Sequence, residues 1–177
     1  HGDVRLDNYY WLNERENPEV ISYLEEENRY QEEMMKDTEP LQKKLYDEIV
    51  GRIKQDDVSY PVKRNGYYYY SRYEEGKEYP VYCRRKDNMD NPEHIFLDCN
   101  KLAEGHHYFD IGTYSVSPNN ELLAYSVDTV SRRQYDICFK SLQISEHDSH
   151  FSDVIKNTTG NMVWANDNAT IFYSAKD

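Results

Sequence analysis

The residues of this chain that could do chemistry are histidines, carboxylates and arginines. Two groups carry metal-ligating side chains: His147-Asp148-Ser149-His150, preceded by Glu146, and His106-His107 with Asp110. Zinc sites built on such residues are usually completed by an HExxH helix or by cysteine pairs. Neither motif occurs, and both groups have polar neighbours, so they read as solvated loops and no metal is expected. Carboxylates adjoin one another at Asp56-Asp57, Glu74-Glu75 and Glu25-Glu26-Glu27. General acid–base work needs two groups in one cleft whose environments push their pKa values apart, whereas adjacent acids in a helix or turn face water together. A nucleophilic serine would need the G-x-S-x-G elbow and a phosphate site a glycine-rich loop. With seven glycines the chain has neither. No catalytic residue and no cofactor is expected within it.

The group left standing is Ser131-Arg132-Arg133-Gln134-Tyr135, two adjacent arginines in a chain of net charge -12. A guanidinium presents a planar fork that matches a carboxylate. Its local use would be a salt bridge to one of the 33 acids. Its functional use would be a loop facing a partner domain or a substrate carboxylate. Arg132 and Arg133 are therefore the candidate substrate-gating or interdomain residues. The acidic balance speaks against nucleic acid, whose phosphates call for a basic surface, and admits basic peptides by long-range attraction.

These residues need a fold to hold them, and the composition allows one. Hydrophobic residues are only 38% of the chain and mean hydropathy is -1.00, values shared with disordered segments. However, 14% of residues are aromatic and 18 are tyrosine, a side chain that packs its ring while keeping a polar tip. The three cysteines, Cys83, Cys99 and Cys138, fit no zinc or redox spacing. They read as reduced structural thiols, which points to the cytoplasm, with the periplasm as the alternative for a chain that opens on His1 rather than Met. No apolar run reaches the length of a membrane span.

Residues 1–58 read as an N-terminal extension and a helical hairpin. Asn17-Pro18 is a start signal, an N-cap followed by proline at the first helical position, for a helix running to about Lys36. Thr38 offers a second N-cap, with Pro40 in the first turn, and Leu41, Leu45, Ile49 and Ile53 form an apolar stripe. Two such helices on a short link would pack together. Ahead of them, Asp7-Asn8-Tyr9-Tyr10-Trp11-Leu12 reads as a segment anchored by burial.

From residue 59 the signals become those of strands. Asn65-Gly66 between extended runs is a hairpin signal. Strands are expected at 67–73, 79–84, 94–97, 114–117, 122–128, 135–142, 154–156, 162–164 and 170–174. The pair Tyr-Ser recurs at Tyr70-Ser71, Tyr125-Ser126 and Tyr173-Ser174, 55 and 48 residues apart. Each pair closes a strand that follows a turn: Arg64-Asn65-Gly66, Ser117-Pro118-Asn119-Asn120 and Ala165-Asn166-Asp167-Asn168. A period near ~50 with about four short strands per unit is that of β-propeller blades. Residues 59–177 are thus read as about two and a half blades of a propeller. An unclosed ring leaves bare strand edges, so the chain, folding alone, is expected to self-associate or to be marginally stable.

In order and spacing these segments resemble the prolyl oligopeptidase family of serine peptidases. Asp7-Asn8-Tyr9-Tyr10-Trp11-Leu12 resembles its D-x-Y-x-W-L opening, and Phe96-Leu97-Asp98-Cys99-Asn100 its LD-x-N segment. His1-Gly2-Asp3, the Ser131–Tyr135 run and Val163-Trp164-Ala165-Asn166-Asp167 resemble the oligopeptidase B branch. The resemblance implies a seven-bladed propeller capping an α/β-hydrolase domain that is absent here. That domain would carry the Ser, Asp and His of the triad and the acids that select Lys or Arg. It implies a partner in the chain's own C-terminal hydrolase domain, short basic peptides as substrates, and an inert fragment. Arg133 is the residue expected to face the central cavity. A non-catalytic interaction module built on an incomplete propeller is the alternative.

Overall fold

The computed structural model describes residues 2–143 and 150–175, which fall in two compact units, His1–Lys54 and Gln55–Asp177. The first holds a 3-10 turn at Tyr10–Asn13, helix α1 (Pro18–Met35), a 3-10 turn at Lys36–Thr38 and helix α2 (Glu39–Gly51). Asn17 caps α1 as its sequence predicts: its Oδ1 accepts the Glu19 amide at 2.9 Å, and Pro18 supplies the first helical φ. Thr38 does not cap α2. Its backbone is already helical, and its hydroxyl instead donates to the Met35 carbonyl at 2.6 Å. The hydroxyl also accepts from the Gln42 side-chain Nε2 at 2.8 Å, but with a helical backbone Thr38 does not take the extended N-cap geometry that would turn its oxygen to the free amides of α2. Val20 of α1 is buried, but Leu24, Leu41, Leu45 and Ile49 of the two helices, and Ile53 beyond α2, remain exposed, so the apolar stripe is not buried between α1 and α2. Burial of the aromatic opening is likewise partial: Trp11 packs edge-on to Tyr23 at 5.7 Å, while Tyr9 and Tyr10 are exposed.

The second unit is a partial β-propeller. Its first blade is an antiparallel meander of β1 (Val62–Arg64), β2 (Tyr67–Arg72), β3 (Val81–Lys86) and β4 (His94–Asp98). Asn65 and Gly66 both have positive φ, 46 and 79°, the geometry a two-residue type I′ turn demands. The unit begins ahead of residue 59 because Val58 bridges Arg72 and the Tyr73 amide donates to the Asp57 carbonyl at 2.8 Å. After β4 comes α3 (Cys99–Ala103), capped by Asp98, whose Oδ1 accepts the amides of Asn100 and Lys101. At five residues α3 is too short for an apolar periodicity to betray it.

The second sheet runs β5 (Asp110–Val116), β6 (Leu122–Asp128), β7 (Tyr135–Ser141), β8 (His150–Trp164) and β9 (Ile171–Ala175), all antiparallel neighbours. The strands expected at 154–156 and 162–164 are one. The first part of β8 pairs with β7 and its last residues pair with β9. Asn157 and Gly160, both at positive φ, bend the strand between these two partners without ending it. β8 thus closes the second blade and opens the third. Trp164 fixes the passage, donating its indole Nε1–H to the Ser115 carbonyl of β5 at 2.9 Å.

The blades adhere through tyrosine and phenylalanine, which accounts for a folded core at such low hydropathy. Phe96 and Leu97 of the first blade meet Leu123, Tyr125 and Leu142 of the second in one buried cluster. Tyr69, Tyr82 and Tyr114 pack around Phe96 with ring centroids 5.8, 6.2 and 5.3 Å away. The three repeat turns also touch. Asn120 Nδ2 donates to the Asn65 carbonyl at 3.1 Å, and Asn168 Oδ1 accepts the Asn119 amide at 2.8 Å. All three cysteines are free, and burial pushes the thiols of Cys83 and Cys99 up to about 12, as inert structural thiols require.

Candidate functional site

The two arginines lie on the connection from β6 to β7, and a buried carboxylate shapes that connection. Asp128, the last residue of β6, is 1% exposed. Its Oδ1 accepts the amides of Val130 (2.8 Å) and Ser131 (3.1 Å), and its Oδ2 those of Arg132 (3.0 Å) and Arg133 (2.7 Å). Four successive N–H groups can converge on one anion because Ser131 and Arg133 adopt left-handed φ of 62 and 53°. Burial alone would raise the Asp128 carboxyl. The four amides outweigh it and hold the group below its usual range. With its backbone wound inward on Asp128, the loop leaves Arg132 and Arg133 exposed. Asp128 is thus spent on the backbone rather than on a guanidinium, and Arg132 Nη1 donates to the Ser131 carbonyl at 3.2 Å.

The far end of the loop is held by Tyr135. Its hydroxyl donates to Asp110 Oδ2 at 2.6 Å, and that hydrogen bond, with burial, pushes the phenol up to about 12. Asp110 is therefore a structural acceptor, while His106 and His107 are exposed. Of the other histidine group, Glu146, His147, Asp148 and Ser149 lie outside the described residues. His150 Nδ1 sits 3.2 Å from the Tyr125 hydroxyl. Among the described residues no three His, Cys, Asp or Glu side chains are placed to hold a metal. The carboxylates at Glu25-Glu26-Glu27 and Asp56-Asp57 are exposed, and Glu74 pairs with Arg72 at 2.5 Å.

Sequence reasoning missed Asp128 although its signal was local, an Asp followed within five residues by the loop it serves. It also missed Arg84, buried between the blades, although Arg84-Arg85 is a second adjacent arginine pair.

Asp128→Asn is expected to cost about 1–3 kcal/mol of stability, because an amide replaces two acceptor oxygens with one and turns N–H against N–H. The native carboxyl titrates below its unfolded value, so its contribution is complete above about pH 5 and is lost as pH falls through the native value. Denaturant melts of both proteins should show a constant gap from pH 5 to 8 that closes in acid. A gap that persists unchanged at pH 2 to 3 contradicts this role for the carboxylate.

Against known proteins, the sequence model described as prolyl oligopeptidase, N-terminal beta-propeller domain, matches residues 1–177. Dipeptidyl aminopeptidase BI of Pseudoxanthomonas mexicana is 44% identical over 100% of this chain and 26% of its own. Protease 2 of Moraxella lacunata is 36% identical, again over 100% of this chain and 26% of its own. Oligopeptidase B of Leishmania major superposes with a TM-score of 0.87 at 32% identity, over 98% of this chain and 25% of its own. Oligopeptidase B of Trypanosoma brucei, closed and with covalently bound antipain, gives 0.84 at 32% identity. The chain spans about a quarter of the length of these relatives.

Proposed function

The chain belongs to the prolyl oligopeptidase family, as its N-terminal β-propeller domain, and from that premise we propose that it forms the access-limiting part of a serine endopeptidase that cleaves short peptides after Lys or Arg. The observation that carries this reading is the match of the family's propeller domain over the whole chain. The absence of any G-x-S-x-G in the sequence supports a division of labour in which a C-terminal hydrolase domain supplies the triad and this chain is inert alone. The partner is then that hydrolase domain, the substrates are basic peptides, and no cofactor is required. Three reduced thiols support a cytoplasmic protein, with the periplasm as alternative. No helix among the described residues is long and apolar enough to cross a membrane.

Arg132 and Arg133 are the residues we assign to the substrate or domain interface, with Arg133 guiding peptide by its carboxylates. The seat that Asp128 gives their backbone supports this, since a loop already ordered loses little backbone entropy on binding. In the full-length enzyme, Arg133→Ala is expected to lower kcat/KM on basic peptides about tenfold, the value of one charge-assisted contact, chiefly through KM. Unchanged kinetics would remove Arg133 from the site.

A second reading is favoured by the 44% identity to a protein named dipeptidyl aminopeptidase BI: release of dipeptides from a free amino terminus. One experiment separates the two. The full-length protein is offered matched fluorogenic dipeptide-Arg substrates with free and with blocked amino termini. Endopeptidase action predicts turnover of the blocked substrate, and dipeptide release predicts turnover of the free one alone. Turnover of either by this chain by itself, stopped by a serine-directed inhibitor, contradicts its assignment as inert.

A further inference from the structure

A cleft of about 420 Å³ opens between the first two blades, along the edge strand β1, a volume within the ~300–1,000 Å³ typical of small-molecule sites. Its walls include Tyr69, Tyr82 and Tyr114 with Val62 and Val116. Those walls are firm: the rings of Tyr82 and Tyr114 lie 4.7 Å apart, and all three tyrosines pack on the buried Phe96. Tyr60, 89% exposed, stands on the solvent side.

The charge in this cleft is unlike that of the rest of the molecule. The chain carries 33 acids, yet none lines the cleft, and its formal charge comes from Arg64. Arg72 on the neighbouring strand is paired with Glu74 and Glu93. Arg64, by contrast, makes no ion pair and no side-chain hydrogen bond among the described residues. Its charge is felt at the Tyr114 phenol, where it opposes the upward push of burial. An aromatic slot with one unneutralised guanidinium calls for a ligand with an apolar body and a carboxylate on the same unit. The carboxylate meets the guanidinium fork, and a flat or bulky side chain meets ring faces and edges.

We propose that this cleft binds the carboxyl-terminal residue of a peptide, its carboxylate on Arg64 and its aromatic or bulky apolar side chain against Tyr60, Val62 and Tyr114. An internal Asp or Glu would satisfy Arg64 but leave the apolar walls empty. The site shares no residue with the Arg132–Arg133 loop, so either reading can fail without the other.

The test uses N-acetyl-phenylalanine and its carboxamide as probes, titrated calorimetrically into the full chain. The acid is expected to bind at least tenfold tighter than the amide, as a charge-assisted contact predicts. Arg64→Gln should bring the acid down to the affinity of the amide and leave the amide unaffected. Tyr60→Ala, at an exposed position, should weaken both probes several-fold. Equal affinity for acid and amide, a preference that survives Arg64→Gln, or no saturable binding of either probe each overturns the proposal.

Discussion

Gly112→Ala is expected to destabilise the propeller unit by about 3 kcal/mol, the upper range for forcing a methyl into a filled site. A Cβ at Gly112 would lie 2.7 Å from both Ser126 Oγ and Tyr135 Cε1, and 2.8 Å from Tyr135 Cδ1. Neither neighbour can give way cheaply. Ser126 is fully buried, donates to the Gly160 carbonyl at 3.0 Å and accepts the Thr113 amide at 3.0 Å. Tyr135 is pinned through its hydroxyl to Asp110, and Gly160 backs its ring, where a Cβ would come within 2.9 Å of Cγ. The ring therefore lies in a slot made by two glycines, one on β5 and one at the bend of β8. Denaturant melts of the full chain should report the loss as a lower midpoint with an unchanged slope. In a Tyr135→Ala background the same substitution should cost less than about 1 kcal/mol, since the obstacle is gone. A wild-type cost within the ±0.5 kcal/mol of ordinary surface changes is the outcome that defeats this account.

The slot shows where sequence reasoning reaches and where it stops. The repeat turns were legible because their chemistry is local: Asn65, Asn120 and Asn168 all adopt positive φ, which asparagine tolerates better than most residues. β6 occupies 122–128 as expected because its apolar content is decided by its own seven residues. The same local logic misled at Asn157 and Gly160. They lie between the strands expected at 154–156 and 162–164, where pairing on both sides keeps β8 continuous. Thr38 misled in the same way, because the backbone stays helical through it and an N-cap needs an extended residue at the boundary. Of the candidate site, the arginines were legible as adjacent cations on a connection in an acidic chain, and Asp128 was not, because an acid among so many carries no signal until its four amide donors are seen. Gly112, Gly160 and Tyr135 meet from three different strands, and no window of sequence contains all of them.

Arg84 lies furthest beyond local reasoning, and its removal is the second large effect expected. It is 2% exposed on β3. Its Nε donates to His94 Nδ1 at 3.0 Å, its Nη1 to the Asn120 carbonyl at 2.9 Å and its Nη2 to the Leu142 carbonyl at 3.2 Å. The guanidinium carbon stands 4.4 Å from the centroid of the Tyr67 ring. None of these partners is an acid. The buried cation is solvated by two carbonyl dipoles, a histidine ring nitrogen and a ring face, and both carbonyls belong to the next blade. Arg84→Ala would strip both of a donor, at about 1–3 kcal/mol each for a buried acceptor, and leave a void as well. A total of about 4 kcal/mol is expected in denaturant melts. Arg84→Met separates the contributions: it fills the space but donates nothing, so it should recover only the packing share and remain about 2 kcal/mol below wild type. Hydrogen exchange should place the loss at the seam between blades, with protection falling in β3 and in the turns around Asn120 and Leu142 before it falls in the middle of β6. If Arg84→Met matched wild type, the cation would be dispensable, as some buried charges replaced by hydrophobic residues are, and the blades would be held by their aromatic core alone.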